Sequence, residues 1–135
     1  GGVFHLTPNG FPGGETLFPL LYTYGVTEGR ISLERLVSVL AANPARIFGI
    51  DGRKGAVESG RDADFTIWDP AAETTVEALH LHGRADWSPY EGMRIAGRLS
   101  HTILRGQVLV EGETFRGEEV YGELLRATTA VTESP

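Results

Sequence analysis

Apolar positions recur at helical intervals in the first third of the chain and at intervals of two further on. Leu17, Leu20, Leu21 and Tyr24 fall at i, i+3, i+4 and i+7, one face of a helix. Pro19 must then lie in its first turn, and Gly25 stops it. Leu33, Leu36, Val37 and Leu40 repeat the stripe behind Ser32, an N-cap residue, with Glu34 placed to complement the helix dipole. A third, short helix is expected with Asn43 as N-cap, Pro44 at the first helical position and Gly49 as its left-handed end. The period then changes. Ala63, Phe65 and Ile67 alternate with Asp64, Thr66 and Trp68, as in a strand reaching Asp69.

Turn chemistry separates these elements: Lys54-Gly55, then Ser59-Gly60-Arg61-Asp62. Val76 to Leu81 fits either a short strand or one helical turn, and Trp87 to Gly92 reads as a turn. His101 to Arg105 and Gln107 to Glu111 flank Arg105-Gly106 as a β-hairpin, and Gly112 opens another turn. Helices thus dominate the first 50 residues and strands the next 60. That order predicts two layers or two partial domains, not one doubly wound unit.

Composition narrows the class. The 135 residues are 41% hydrophobic and 22% charged, the balance of a packed fold and not of a disordered chain. The 18 glycines stand singly at turns, which implies many short elements. A net charge of −6 argues against nucleic acid or an anionic membrane as partner. No apolar run is long enough to cross a membrane, and the first residues do not resemble a signal peptide. Lacking Met, they look like a cut end. With no cysteine, disulfides, thiolate catalysis and zinc–cysteine sites are excluded, and a reducing cytoplasm is compatible.

Candidate chemistry is sparse. His80 and His82 have the i, i+2 spacing of a metal pair on a strand, with Asp86 the nearest further ligand. The surroundings favour a surface or packing role. His5 and His101 stand alone. There is no G-x-S-x-G for a nucleophilic serine, and the Gly10–Gly14 stretch lacks the G-K-[ST] ending of a phosphate loop. That loop, Thr7 to Gly14, has backbone that can approach a small ligand closely, with Asn9 offering amide and carbonyl groups. Asp62, Asp64 and Asp69 lack the spacing of a calcium loop, and Asp62 and Asp64 are expected on a solvated strand face. Trp68, Trp87 and Tyr90 are read as sheet packing.

Four segments, in order, carry a resemblance. They are Pro8-Asn9-Gly10-Phe11-Pro12-Gly13-Gly14-Glu15, Gly25-Val26 through Gly29-Arg30-Ile31-Ser32-Leu33, Asn43-Pro44-Ala45-Arg46-Ile47-Phe48-Gly49 with Lys54-Gly55, and Gly60-Arg61-Asp62-Ala63-Asp64. Together they resemble the C-terminal part of the cyclic amidohydrolases: dihydropyrimidinases and D-hydantoinases, with allantoinases and dihydroorotases close behind. Pro89-Tyr90-Glu91-Gly92-Met93 and Leu104-Arg105-Gly106 look like the dihydropyrimidinase and hydantoinase branch.

The resemblance implies an incomplete α/β piece: the C-terminal helices of a TIM-barrel amidohydrolase (residues 1–50), part of a β-sandwich (51–115) and a tail in subunit contacts (116–135). It implies a metal-dependent, zinc-containing cytoplasmic hydrolase of cyclic amides, a dimer or tetramer, whose missing N-terminal part carries the binuclear centre with its carboxylated lysine. None of that family's metal or catalytic positions matches this chain, so the chain itself is expected to hold no metal and no catalytic residue. Only Asn9 matches a family site, the loop asparagine whose backbone holds the ring of the substrate. Gly14 stands where an aliphatic residue is usual. Two other readings remain at this point: a catalytically dead scaffold relative, and a free-standing binding module using the Thr7–Gly14 loop.

Overall fold

In the computed structural model, residues 10–117 and 121–128 are described. Helix α1 (Leu17–Leu21) carries Pro19 in its first turn, where a missing N–H has no intrahelical partner to lose. Gly25 does not stop this helix. It lies buried inside a π-helical turn, Tyr22–Thr27, that continues α1. A helical glycine costs only about 1 kcal/mol relative to alanine, a penalty that local bonds readily offset. Here the hydroxyls of Thr23 and Thr27 donate back to the carbonyls of Pro19 and Thr23. Gly29, at φ +70°, makes the stop instead, while Arg30 N–H donates to the carbonyl of Gly25 at 2.8 Å.

Helix α2 (Leu33–Val37) starts as its sequence requires: Ser32 is extended and its hydroxyl accepts from the N–H of Arg35 at 3.2 Å. The helix then runs through a π-helical turn, Ser38–Ala42, directly into α3 (Asn43–Ile47). Asn43 is therefore not an N-cap. Ala42 before it is already helical, and the Asn43 side chain accepts from the Arg46 guanidinium at 3.1 Å. The wider turn lies just ahead of Pro44, whose ring has no N–H for the helical ladder. The C-terminus is as expected. Gly49 sits at φ +64°, its N–H bonding Arg46 O at 3.1 Å and that of Ile50 bonding Ala45 O at 2.9 Å.

Strands β1 (Phe65–Thr75), β2 (Arg94–Leu104), β3 (Gln107–Glu111) and β4 (Thr114–Phe115) form one sheet in that order. β1 runs past Asp69 through Pro70, which an end strand tolerates because one row of its N–H groups is unpaired. The Val76–Leu81 ambiguity resolves as a 3₁₀ turn at Ala78–His80. The Arg105-Gly106 hairpin is present, with Leu104 opposite Gln107 and both turn residues at positive φ, 45° and 82°. That is the primed turn whose twist suits antiparallel strands. Register then slips between Thr102 and Ile103, making Leu109 an extra residue on β3.

The chain forms two compact units that interleave in sequence. One combines residues up to Arg30 with Pro70–Arg98, the other Ile31–Asp69 with residues from Leu99 on. In the first, Thr16, Val76, Ala78 and Ile95 are buried, and Val76 N–H donates to Met93 O while Gly92 N–H donates to Val76 O. In the second, Leu36 and Ala45 are buried. Gly55 lies against this core at φ +87°, where a Cβ would meet Ala45 Cβ at 2.6 Å and Ala41 O at 3.0 Å.

Gly55→Ala therefore carries both backbone strain and a clash, an expected loss of about 2–4 kcal/mol. Gly60→Ala, at φ +92° in open space, carries strain alone and should cost about 1–2 kcal/mol. Denaturant unfolding of the whole protein measures both, and equal costs would contradict the packing argument.

Candidate functional site

The loop that leads into α1 is held from one side by the segment 82–90. The Phe11 ring meets Tyr90 edge-on, centroids 6.1 Å apart, although Phe11 is otherwise exposed. At the loop's end Glu15 receives two bonds from one residue. The His82 N–H donates to Oε2 at 2.8 Å, and its Nδ1 lies 2.8 Å from Oε1. Thr16, almost fully buried, donates from Oγ1 to Gly13 O at 3.3 Å. A Cβ on Gly14 would meet nothing within 4 Å, so an aliphatic residue there would fit. Asn9, the one residue expected to hold substrate, lies outside the described residues, as does His5.

The histidine pair does not share a strand face. His80 closes the 3₁₀ turn, its Nδ1 3.2 Å from Glu77 Oε2, and His82 belongs to Glu15. His101 Nδ1 is 2.8 Å from Ser100 Oγ. Among the described residues no three His, Asp or Glu side chains converge as a metal site would need. Trp87 remains partly exposed, and Tyr90 serves the loop through Phe11.

Asp62 and Asp64 are the clearest departure from expectation. Both precede β1, and neither is on a solvated face. Lys54 Nζ lies 2.7 Å from Asp62 and also bonds Asp64, and its side chain is only 17% exposed. Arg53 adds a forked bond to Asp62 (3.2 and 2.9 Å) and another to Glu123 (2.9 and 3.3 Å). Asp64 Oδ1 also accepts the Arg105 N–H at 2.8 Å. Arg61 turns inward to the carbonyls of Asp51 and Lys54. Arg105 caps the arrangement over the Tyr121 ring at 4.3 Å. The opposite charges of Lys54 and Asp62 were visible in the sequence; Arg105, Tyr121 and Glu123 lie more than 40 residues further along the chain.

The network shifts its members' protonation. Lys54 and then Arg53 hold Asp62 below the usual carboxylate range, and Arg53 does the same for Glu123. Burial pulls Lys54 down, but Asp62 and Asp64 outweigh it and raise its pKa. The hydrogen bonds that Arg53 donates to Glu123 and Asp62 raise its own pKa.

This arrangement is a structural lock. The chain belongs to the amidohydrolase family, whose model matches residues 14–109. It is 41% identical over 123 residues to the D-hydantoinase of Ralstonia pickettii, covering 91% of this chain and 27% of that protein. Against the D-phenylhydantoinase of Escherichia coli O1:K1 the identity is 42% over 125 residues, with 93% and 27% covered. A solved D-hydantoinase (dihydropyrimidinase) from Thermus sp. superposes with a TM-score of 0.87 at 39% identity, over 93% of this chain and 27% of that one. The L-hydantoinase (dihydropyrimidinase) from Arthrobacter aurescens gives a TM-score of 0.79 at 40% identity, over 83% and 25%. The chain thus spans about a quarter of the length of the relatives it matches.

For Asp62 and Glu123, depressed folded values mean a contribution fully present above their unfolded values, near about 4, and lost as pH falls through the lower folded ones. For Lys54 the raised value puts the loss at the alkaline end, above about pH 10. Acid unfolding of the whole protein should accordingly be steeper below about pH 4 than that of a D62N/E123Q variant. Superimposable curves would refute the assignment.

Proposed function

We propose that the chain is part of a metal-dependent hydrolase that opens the ring amide of hydantoins or dihydropyrimidines. The observation that carries this reading is agreement with hydantoinases in sequence and in fold over nine-tenths of the chain. In this reading residues 1–50 are the last helices of a TIM barrel, 51–115 a share of a β-sandwich, and 116–135 a tail for subunit contacts. The partners are a cyclic amide substrate, the remaining part of the enzyme and further copies of it in a cytoplasmic oligomer.

The residues described here do not fit a zinc site. The Nδ1 atoms of His80, His82 and His101 have carboxylate or hydroxyl partners, and among the described residues no three His, Asp or Glu side chains converge. The binuclear zinc centre and its carboxylated lysine would therefore be supplied by the rest of the protein. What this chain would contribute is position. Asn9 would hold the ring through its backbone, and binding that fixes orientation lowers the barrier without any bond breaking at this residue. No described helix is long and apolar enough to cross a membrane. Apolar side chains such as Ile47 and Phe48 remain open on this chain, and such surface is commonly covered by further polypeptide.

The whole protein should convert a 5-substituted hydantoin to the N-carbamoyl amino acid, lose that activity on chelation and regain it with zinc. This chain alone should not turn over. Absence of turnover by the metal-loaded whole protein on hydantoins and dihydropyrimidines would sink the reading in favour of a scaffold relative. Asn9→Ala, which keeps the main-chain donor, should change KM less than about threefold, whereas Asn9→Pro, which deletes it, should raise KM about tenfold. Steady-state kinetics separate the two.

A further inference from the structure

We propose that His82 is a positioning residue for the glycine-rich loop: it grips Glu15, at the loop's end, and so holds residues 10–15 in the one shape that binding of the substrate ring requires. The inference rests on the ring-amide reading given above. Its basis is a two-point contact between residues 67 apart in sequence, the His82 N–H on Glu15 Oε2 and the His82 Nδ1 beside Oε1, both at 2.8 Å.

Two polar atoms of one residue fix the plane of a carboxylate as well as its place. Both side chains are exposed, and the backbone N–H of His82 supplies the second fixed point that a lone surface ion pair lacks. The loop needs such a hold. Gly10, Gly13 and Gly14 lie within six residues of Glu15, and glycine loses more backbone freedom on ordering than any other residue. The same outer segment holds the loop nearer its start, where Tyr90 meets Phe11. Residues 82–90 thus hold this stretch at two points, Phe11 and Glu15, and Thr16 closes its foot through the carbonyl of Gly13. His82 touches no reacting atom in this scheme. What it supplies is a hydrogen bond, with no proton moved.

The test uses the whole protein, His82→Ala and His82→Asn, whose side-chain amide nitrogen takes the place of Nδ1. His82→Ala should raise KM for a 5-substituted hydantoin about tenfold and leave kcat within about twofold, the signature of lost positioning. Without substrate, amide exchange at residues 10–15 should speed up about tenfold, with the thermal midpoint unchanged. His82→Asn should restore most of both. Unaltered KM and exchange in His82→Ala, or a fall in thermal midpoint with exchange rising throughout, would overturn the proposal, as would His82→Asn behaving like alanine. Faster exchange at 10–15 in a protein whose wild type opens no ring amide would leave the anchoring intact and remove the hydrolase reading.

Discussion

One ammonium group organises the larger share of this chain. Lys54 sits between the carboxylates of Asp62 and Asp64, largely withdrawn from water. A cation so placed is costly unless opposite charges stay close, which keeps the turn after α3 beside the start of β1. Asp64 passes the constraint on by accepting the Arg105 N–H, and Gly106 N–H bonds Ala63 O at 2.9 Å, so the β2–β3 turn is held to the same point. Arg53 extends it through Glu123 to the chain's last described residues, where Thr128 also bonds the carbonyl of Gly49. Gly55 completes the lock: only a residue without Cβ fits beneath Ala45 while its neighbour Lys54 reaches both aspartates.

Elsewhere polar contacts carry what a large core would otherwise do. In the unit that includes α1, Tyr24 donates from its hydroxyl to Arg94 O, Thr23 Oγ1 accepts from Ala96 N–H, and Glu91 accepts from Ala78 N–H. Each such bond adds about 1 kcal/mol net, and each fixes a direction, which dispersion contacts do not. The loop contacts of Phe11 and Glu15 follow the same economy.

This gives the glycine–aspartate pattern at residues 60–64 a physical meaning. Clustered acids invite a reading as metal ligands, although the spacing of Asp62, Asp64 and Asp69 does not fit a calcium loop. The geometry shows ligands for an internal lysine instead. Clustered acids can thus serve the architecture of a fold by pairing an internal cation.

The sequence by itself determined the local elements whose causes are local. The Ser32 cap, the left-handed stop at Gly49, the Arg105-Gly106 turn and the family pattern are decided within a few residues by steric and hydrogen-bond rules. Where a distant partner enters, local rules ran out. Gly25 stays helical because threonine hydroxyls and a buried position support it, and Asn43 loses its capping role because the preceding turn is already helical. Asp62 and Asp64 face Lys54, and His82 faces Glu15, because folding brings together groups that the chain keeps eight, ten and 67 residues apart. Charge pairing depends on distance in space, and only the tertiary structure sets that distance.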